Sequence, residues 1–333
     1  MIDSASKDMI DSASRGMIVS ASKDMIDSAS RGMIVSASRR TDIPAYYCDW
    51  FFNKLACGAV TVKNPFNPKQ ERTVSLARDA VDGFVFWSKN PAPMIGRLGL
   101  LGGYAYYFQF TLNAYGRDTE PGLPPVADRI ATFQKLSELI GPKRVIWRYD
   151  PILLSGKYTE EWHAAAFSEL CGALRGHAQK VIISFIDDYK AISKRLKENG
   201  IYIPKCNNSA TIDATTDIIN ATTDATIDAT TDAAVGSIER IAAALAAEAH
   251  SAGMSIESCA EEADLSMYGI GHGKCVDASL IAEGRAPVLR KDANQRPACG
   301  CSPSVDIGAY GTCPCGCIYC YANHSRATRS MPL

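Results

Sequence analysis

Seven short apolar runs, each ending in a cluster of polar residues, set the terms on which this chain can fold. They begin at Met33, Ala59, Gly83, Tyr104, Arg144, Lys180 and Met254, and the polar clusters that follow start near Arg39, Lys63, Ser88, Thr111, Arg148, Asp187 and Cys259. Most are separated by stretches with apolar residues recurring at three and four, as in 125–140, 159–174 and 237–252. That period marks amphipathic helices. Strands alternating with helices imply βαβ units and a parallel sheet. An eighth run at 304–310 would complete a (β/α)8 TIM-type barrel, whose active site lies at the C-terminal ends of its strands, where the polar clusters fall. An open doubly wound sheet is the alternative architecture.

The chain has 333 residues, 47% of them hydrophobic and 21% charged, ordinary values for a globular protein. A formal net charge of -1 gives no global pull toward nucleic acid or an anionic membrane. No apolar run approaches a membrane span, and the N-terminus lacks the apolar core of a secretory signal, so a cytoplasmic protein without a membrane partner is expected. Residues 1–32 are tandem octapeptides beginning Met-Ile-Asp-Ser-Ala-Ser-Lys-Asp. Each unit has too little apolar surface to offset its ordering entropy, so a disordered extension is expected. Residues 207–237 repeat Ala-Thr-Thr-Asp and Ala-Thr-Ile-Asp and read as an expanded surface loop. A single barrel domain over 33–325, carrying that insertion, and a tail at 326–333 account for the rest.

Twelve cysteines are present, eight of them between Cys259 and Cys320. With no secretory signal, metal binding is a better reading than disulfides. Cys48, Cys57, Cys171 and Cys206 are scattered and read as small hydrophobes or free thiols. Cys313, Cys317 and Cys320 have C-x3-C-x2-C spacing, with Cys315 inside the first spacer. Thiolates select iron–sulfur clusters, zinc or copper. Four normally hold a [4Fe–4S] cluster, so three would leave one iron open to a small molecule. Cys259, Cys275 and the pair Cys299 and Cys301 form a second four-sulfur set, suited to another [4Fe–4S] cluster or to tetrahedral zinc. His272 reads as a nearby ligand or a core histidine.

The cysteine loop resembles the cluster loop of radical S-adenosylmethionine (SAM) enzymes, in which the open iron chelates the amino and carboxylate groups of SAM. Its late position would make the chain a circular permutation of those barrels. The wider string is more specific. Residues 36–45 (SASRRTDIPA), 64–68 (NPFNP), 86–91 (FWSKNP), 147–152 (WRYDPI), 259–262 (CAEE) and 306–310 (DIGAY), with the cysteine loop, resemble the bacterial family DUF1848, whose members are radical-SAM-like. The resemblance covers about 33–325, apart from the insertion. It implies cleavage of SAM to a 5′-deoxyadenosyl radical that abstracts hydrogen from a substrate, with flavodoxin or ferredoxin as electron donor. Closing such a barrel makes the first and last strands neighbours. That puts Arg40 near a SAM carboxylate, Asp42 near its ammonium and Tyr319 near adenine.

Further strand-end residues, among them Lys89, Asn90, Gln109, Thr111, Arg148, Asp150, Asp187, Glu261 and Glu262, would line the cavity. Lys89 and Asn90 are expected on the cofactor. Arg148 and Asp150 share one side of a strand, so they read either as catalytic or as an internal ion pair. Glu261 and Glu262 are placed to hold a proton or a substrate amine. A non-catalytic zinc or iron–sulfur protein that staples its C-terminus, with nucleic acid as a partner unsupported by charge, is the reading from a different class.

Overall fold

The computed structural model describes residues 32–65, 67–187, 189–203, 236–282, 290–323 and 331. Cys206, Asp188, the octapeptide units before Gly32 and nearly all of the insertion and the tail lie outside them.

Chain order runs β1 (Met33–Ala37), α1 (Ile43–Tyr46), α2 (Cys48–Cys57), β2 (Ala59–Asn64), β3 (Asn67–Ser75), β4 (Val81–Ser88), α3 (Ala92–Ile95), β5 (Ala105–Thr111) and α4 (Val126–Ile140). It continues through β6 (Val145–Ile152), α5 (Glu160–Leu174), β7 (Lys180–Phe185), α6 (Lys190–Glu198), α7 (Ser237–Ser251), β8 (Ser255–Ser258), β9 (Gly271–His272), α8 (Ala278–Ile281) and β10 (Ser304–Asp306). Helices α4, α5 and α7 fall where the apolar period puts them. Thr159 starts α5 by accepting the Trp162 amide on its hydroxyl at 3.2 Å, which satisfies one of the unpaired amides of a helix N-terminus.

Eight strands form one sheet in the order β10-β1-β4-β5-β6-β7-β8-β9, every neighbouring pair parallel. Strands buried on both faces explain runs that are apolar almost throughout. The period of two then sorts the side chains. Val35, Phe84, Phe86, Phe108, Trp147, Val181 and Ile256 face the larger core. Ile34, Val85, Tyr107, Ile146 and Ile182 face a smaller core shared with Cys275, Cys299 and Cys301. Continuing that second face toward the strand ends brings up Ser36, Trp87, Gln109 and Arg148, so alternation alone aims the polar residues at one place.

Two expectations change. The run at 59–62 is not in the main sheet: β2 pairs antiparallel with β3 in a separate ribbon. The reason is its chemistry, since Val60 and Val74 are buried while Thr61, Lys63, Glu71 and Arg72 are exposed, a one-sided alternation suited to a hairpin. The eighth member of the sheet is instead the two-residue β9. The expected barrel is therefore observed as an eight-stranded parallel sheet, and among the described residues no ladder joins β9 to β10. Their flanking segments do meet, because the Ser302 amide donates to the Val276 carbonyl at 2.8 Å.

The first and last long runs are neighbours, with Ile34 opposite Ser304 and Ser36 opposite Asp306. Asp306 fixes this seam. Its carboxylate accepts the Ser38 hydroxyl at 2.6 Å, the Arg39 amide at 2.8 Å and the Gly308 amide at 2.9 Å. Gly308 packs so closely that a Cβ there would lie 2.0 Å from the Ser38 hydroxyl.

Candidate metal and ligand site

A cavity of about 340 Å³ opens at the C-terminal ends of the strands. All eight cysteines from both groups line it, together with Arg39, Arg40, Asp42, Lys89, Arg148, Asp150 and Tyr319. Residues separated by more than 280 positions thus converge on one space.

The closing cysteine loop is held from three directions. Arg195 on α6 donates to the carbonyls of Ile318, Cys320 (2.7 Å) and Asn323 (3.3 Å). The Gly122 amide donates to the Cys315 carbonyl at 2.9 Å, and a Cβ on Gly122 would lie 2.6 Å from that oxygen. Asn323 donates its amide to the Cys313 carbonyl at 2.5 Å. Within the loop Cys315 lies in hydrogen-bond reach of Cys313 and Cys317, and its thiol is 3.4 Å from the Tyr46 hydroxyl. Contacts with Cys313 and Cys317, and burial, push the Cys315 thiol far up. Its contact with Cys315 holds Cys313 below the usual thiol range. Burial first, and then the charge of Cys317, push Cys320 up to about 11.

The second group also assembles. The Cys259 and Cys275 sulfurs are 3.0 Å apart, and Cys275 and Cys299 both contact Cys301. Those two contacts hold Cys301 well below the ordinary thiol value, with the Arg39 charge adding to them. Two buried donors on β5, Tyr107 and Gln109, fix the Cys275 carbonyl at 2.8 and 2.7 Å. Arg148 reaches the Cys275 sulfur at 2.7 Å. Among the described residues no three His, Cys, Asp or Glu side chains are grouped as a ready-made site for a metal ion.

Around these sulfurs the charged residues are mostly paired. Arg148 donates to Asp150 through Nε at 2.9 Å and through Nη2, so the internal ion pair is present. Burial works against the Asp150 carboxylate, but Arg148 and Ser184 hold its pKa below the usual value. Lys89 donates to Glu120 at 3.0 Å and meets the Tyr319 hydroxyl at 2.6 Å. Burial opposes the Lys89 charge, yet Glu120 and Cys317 keep its pKa raised. Behind them, buried Arg129 faces the other Glu120 oxygen at 3.3 Å.

Several expected residues lie elsewhere or work differently. Asp42 lines the cavity, but its oxygens accept the amides of Ala45 at 3.0 Å and Lys89 at 2.8 Å. It caps α1, and burial raises its pKa despite those bonds. Arg40 turns to Asp306 at 4.0 Å and to the Tyr310 ring. Tyr319 packs edge-on to Tyr115 at 6.2 Å. Asn90, Glu261 and Glu262 are not among the cavity-lining residues. Glu261 accepts the Phe185 amide at 2.9 Å, while Glu262 and His272 are exposed, so His272 is no core histidine. Cys48 and Cys171 are buried and Cys57 is exposed.

Arg195, Glu120 and Arg129 escaped the sequence reading. Arg39 and Asp306 stood in the motifs at 36–45 and 306–310 but were given no role of their own.

These features define a parallel α/β protein with a cysteine-lined cavity at its strand ends. The chain belongs to the DUF1848 family, described as a domain of unknown function, whose model matches residues 34–322. No curated protein and no solved structure matches it significantly. No described helix is long and apolar enough to cross a membrane.

Proposed function

We propose that the protein is a radical SAM-type iron–sulfur enzyme, with Cys313, Cys317 and Cys320 holding a [4Fe–4S] cluster. The observation that carries this reading is the meeting of that loop with a second cysteine group around one cavity at the strand ends. The donor set fits: three soft sulfurs in one clamped loop leave one iron of a cubane for another ligand. When bound, the reduced cluster supplies the electron that cleaves SAM to methionine and a 5′-deoxyadenosyl radical, which takes hydrogen from the substrate. Lys89, Arg39 and Arg148 supply positive charge beside the sulfurs, as an anionic cluster requires in a buried setting. Lys89 and Glu120 hold the Tyr319 hydroxyl between them, keeping its ring at the cavity wall.

Cys259, Cys275, Cys299 and Cys301 hold a second [4Fe–4S] cluster or zinc in this reading. In this reading the sheet also closes into a barrel through their segments, a closure supported by the bond from the Ser302 amide to the Val276 carbonyl. That same contact favours a second reading, a non-catalytic metal staple across the sheet edges. An electron donor such as flavodoxin or ferredoxin and a cytoplasmic location complete the first proposal.

Paired substitutions separate the ligands. Cys317→Ala abolishes 5′-deoxyadenosine formation from SAM, whereas Cys315→Ala spares it. Equal loss from both would overturn the assignment of Cys313, Cys317 and Cys320.

A further inference from the structure

The cations that line the cavity are not equivalent. Arg40 has Asp306 at 4.0 Å, Lys89 has Glu120 at 3.0 Å, Arg148 has Asp150 and Arg296 has Asp187 at 2.6 Å. Arg39 differs, since among the described residues its guanidinium has no carboxylate within ion-pair distance. It lies instead over the Trp87 ring, 5.0 Å from the centroid. Stacking of that kind occupies the face of a guanidinium and leaves its planar N–H fork free for a carboxylate or phosphate.

The fork is held in place. The Arg39 amide donates to Asp306 at 2.8 Å, and its carbonyl accepts the Tyr321 hydroxyl at 3.4 Å. Trp87 is fixed in turn by donating Nε1–H to the Ser36 hydroxyl at 3.0 Å. Two further cavity-lining groups have unmet polar atoms. Among the described residues the Thr41 hydroxyl, on a residue 5% exposed, has no hydrogen-bond partner, and neither does Oδ1 of Asn323, 8% exposed. Because the Asn323 amide nitrogen is engaged by the Cys313 carbonyl, that oxygen is left to accept from a ligand. Buried polar atoms without partners are uncommon enough to call for one.

We propose that Arg39 is the anion anchor of the cavity, binding a ligand that carries a carboxylate or phosphate, with a hydrogen-bond donor on the same ligand taken by Asn323. This deepens the radical SAM reading, because the anion belongs either to the amino-acid end of SAM or to the substrate. It gives Arg39 the role that was expected of Arg40.

Isothermal titration of the full-length protein with S-adenosylhomocysteine, its decarboxylated analogue and inorganic phosphate tests the proposal without relying on turnover. Arg39→Gln lowers the affinity for at least one carboxylate or phosphate probe about tenfold or more, as expected for losing a charge-assisted contact. Arg39→Lys retains part of it, and thermal melts verify that both variants fold. If the affected probe is S-adenosylhomocysteine and the decarboxylated analogue is insensitive to Arg39, the anion is the SAM carboxylate. If phosphate alone is affected, the anion belongs to the substrate. Unchanged affinities in Arg39→Gln, an equal loss in Arg40→Gln, or wild-type protein that binds none of the probes would overturn the proposal. Zinc in place of iron would sink the radical SAM reading and leave this result standing.

Discussion

Replacing Arg195 with Ala removes the clamp on the cysteine loop without touching a sulfur. The guanidinium donates to three carbonyls, those of Ile318, Cys320 at 2.7 Å and Asn323 at 3.3 Å. A hydrogen bond from a charged donor contributes roughly 1.5 to 3 kcal/mol. The Asn323 bond is long and Arg195 is only half-buried, so the three together are worth about 3 kcal/mol rather than their sum. Neighbouring Ile192 and Leu196 keep α6 docked on the cluster that includes Cys313, Cys317 and Tyr319, so the loss is confined to loop opening. At about 1.4 kcal/mol per factor of ten, opening becomes roughly a hundredfold more frequent. Native-state hydrogen exchange reads this directly. The Ile318 amide, bonded to the Thr119 carbonyl at 3.1 Å, and the Gly311 amide, bonded to Ala322 at 2.8 Å, exchange about a hundredfold faster. Amides of β6 keep their rates, and Arg195→Lys falls between. Unchanged loop rates, or the same acceleration throughout the sheet, would refute the argument that Arg195 holds this loop locally.

Gly122→Ala forces a Cβ to 2.6 Å from the Cys315 carbonyl oxygen. It therefore loosens the same loop from the opposite side, seen as faster modification of Cys315 and Cys317 by a thiol reagent; unchanged rates would refute it. His163 is buried, accepts the Tyr149 hydroxyl at Nδ1 and donates Nε2–H to the Leu153 carbonyl, both at 2.7 Å. Burial lowers its pKa from 6.5 to about 4, so the unfolded chain binds the proton first. Stability is thus present above pH 6.5 and declines as pH falls toward 4. In denaturant titrations His163→Gln flattens that part of the profile, and an unaltered slope would contradict the assignment. Cys299→Ala lowers iron content by about one cluster, and unchanged iron would refute an iron–sulfur second site.

The sequence was most readable where burial imposes a period. Val35, Phe84, Phe108 and Trp147 belong to runs buried on both sides, and Ile130, Phe133 and Leu136 repeat at helical spacing, so β1, β4, β5, β6 and α4 could be drawn from the chain. β2 misled because Val60 and Val62 look like a core strand until the polar β3 partner is seen beside them. β9, at two residues, carries no period. The gathering of Cys313, Cys317 and Cys320 at one place was legible, since their spacing is local. Their supports were not, because Arg195, Glu120 and Asp306 act across 120 to 270 positions, where spacing carries no information. Glu261 was legible only in part: burial pushes its carboxyl up to about 8, in keeping with a group placed to hold a proton, but the Phe185 amide that it accepts lies 76 positions away, and no pattern in 259–262 announces that partner.

The radical SAM reading is tested most directly by anaerobic purification, metal analysis, and EPR spectroscopy after dithionite reduction, followed by assay for 5′-deoxyadenosine from SAM. The account predicts iron, a reduced [4Fe–4S] signal that shifts when SAM is added, and 5′-deoxyadenosine as product. Zinc at full occupancy with no iron, and no cleavage of SAM, would contradict it.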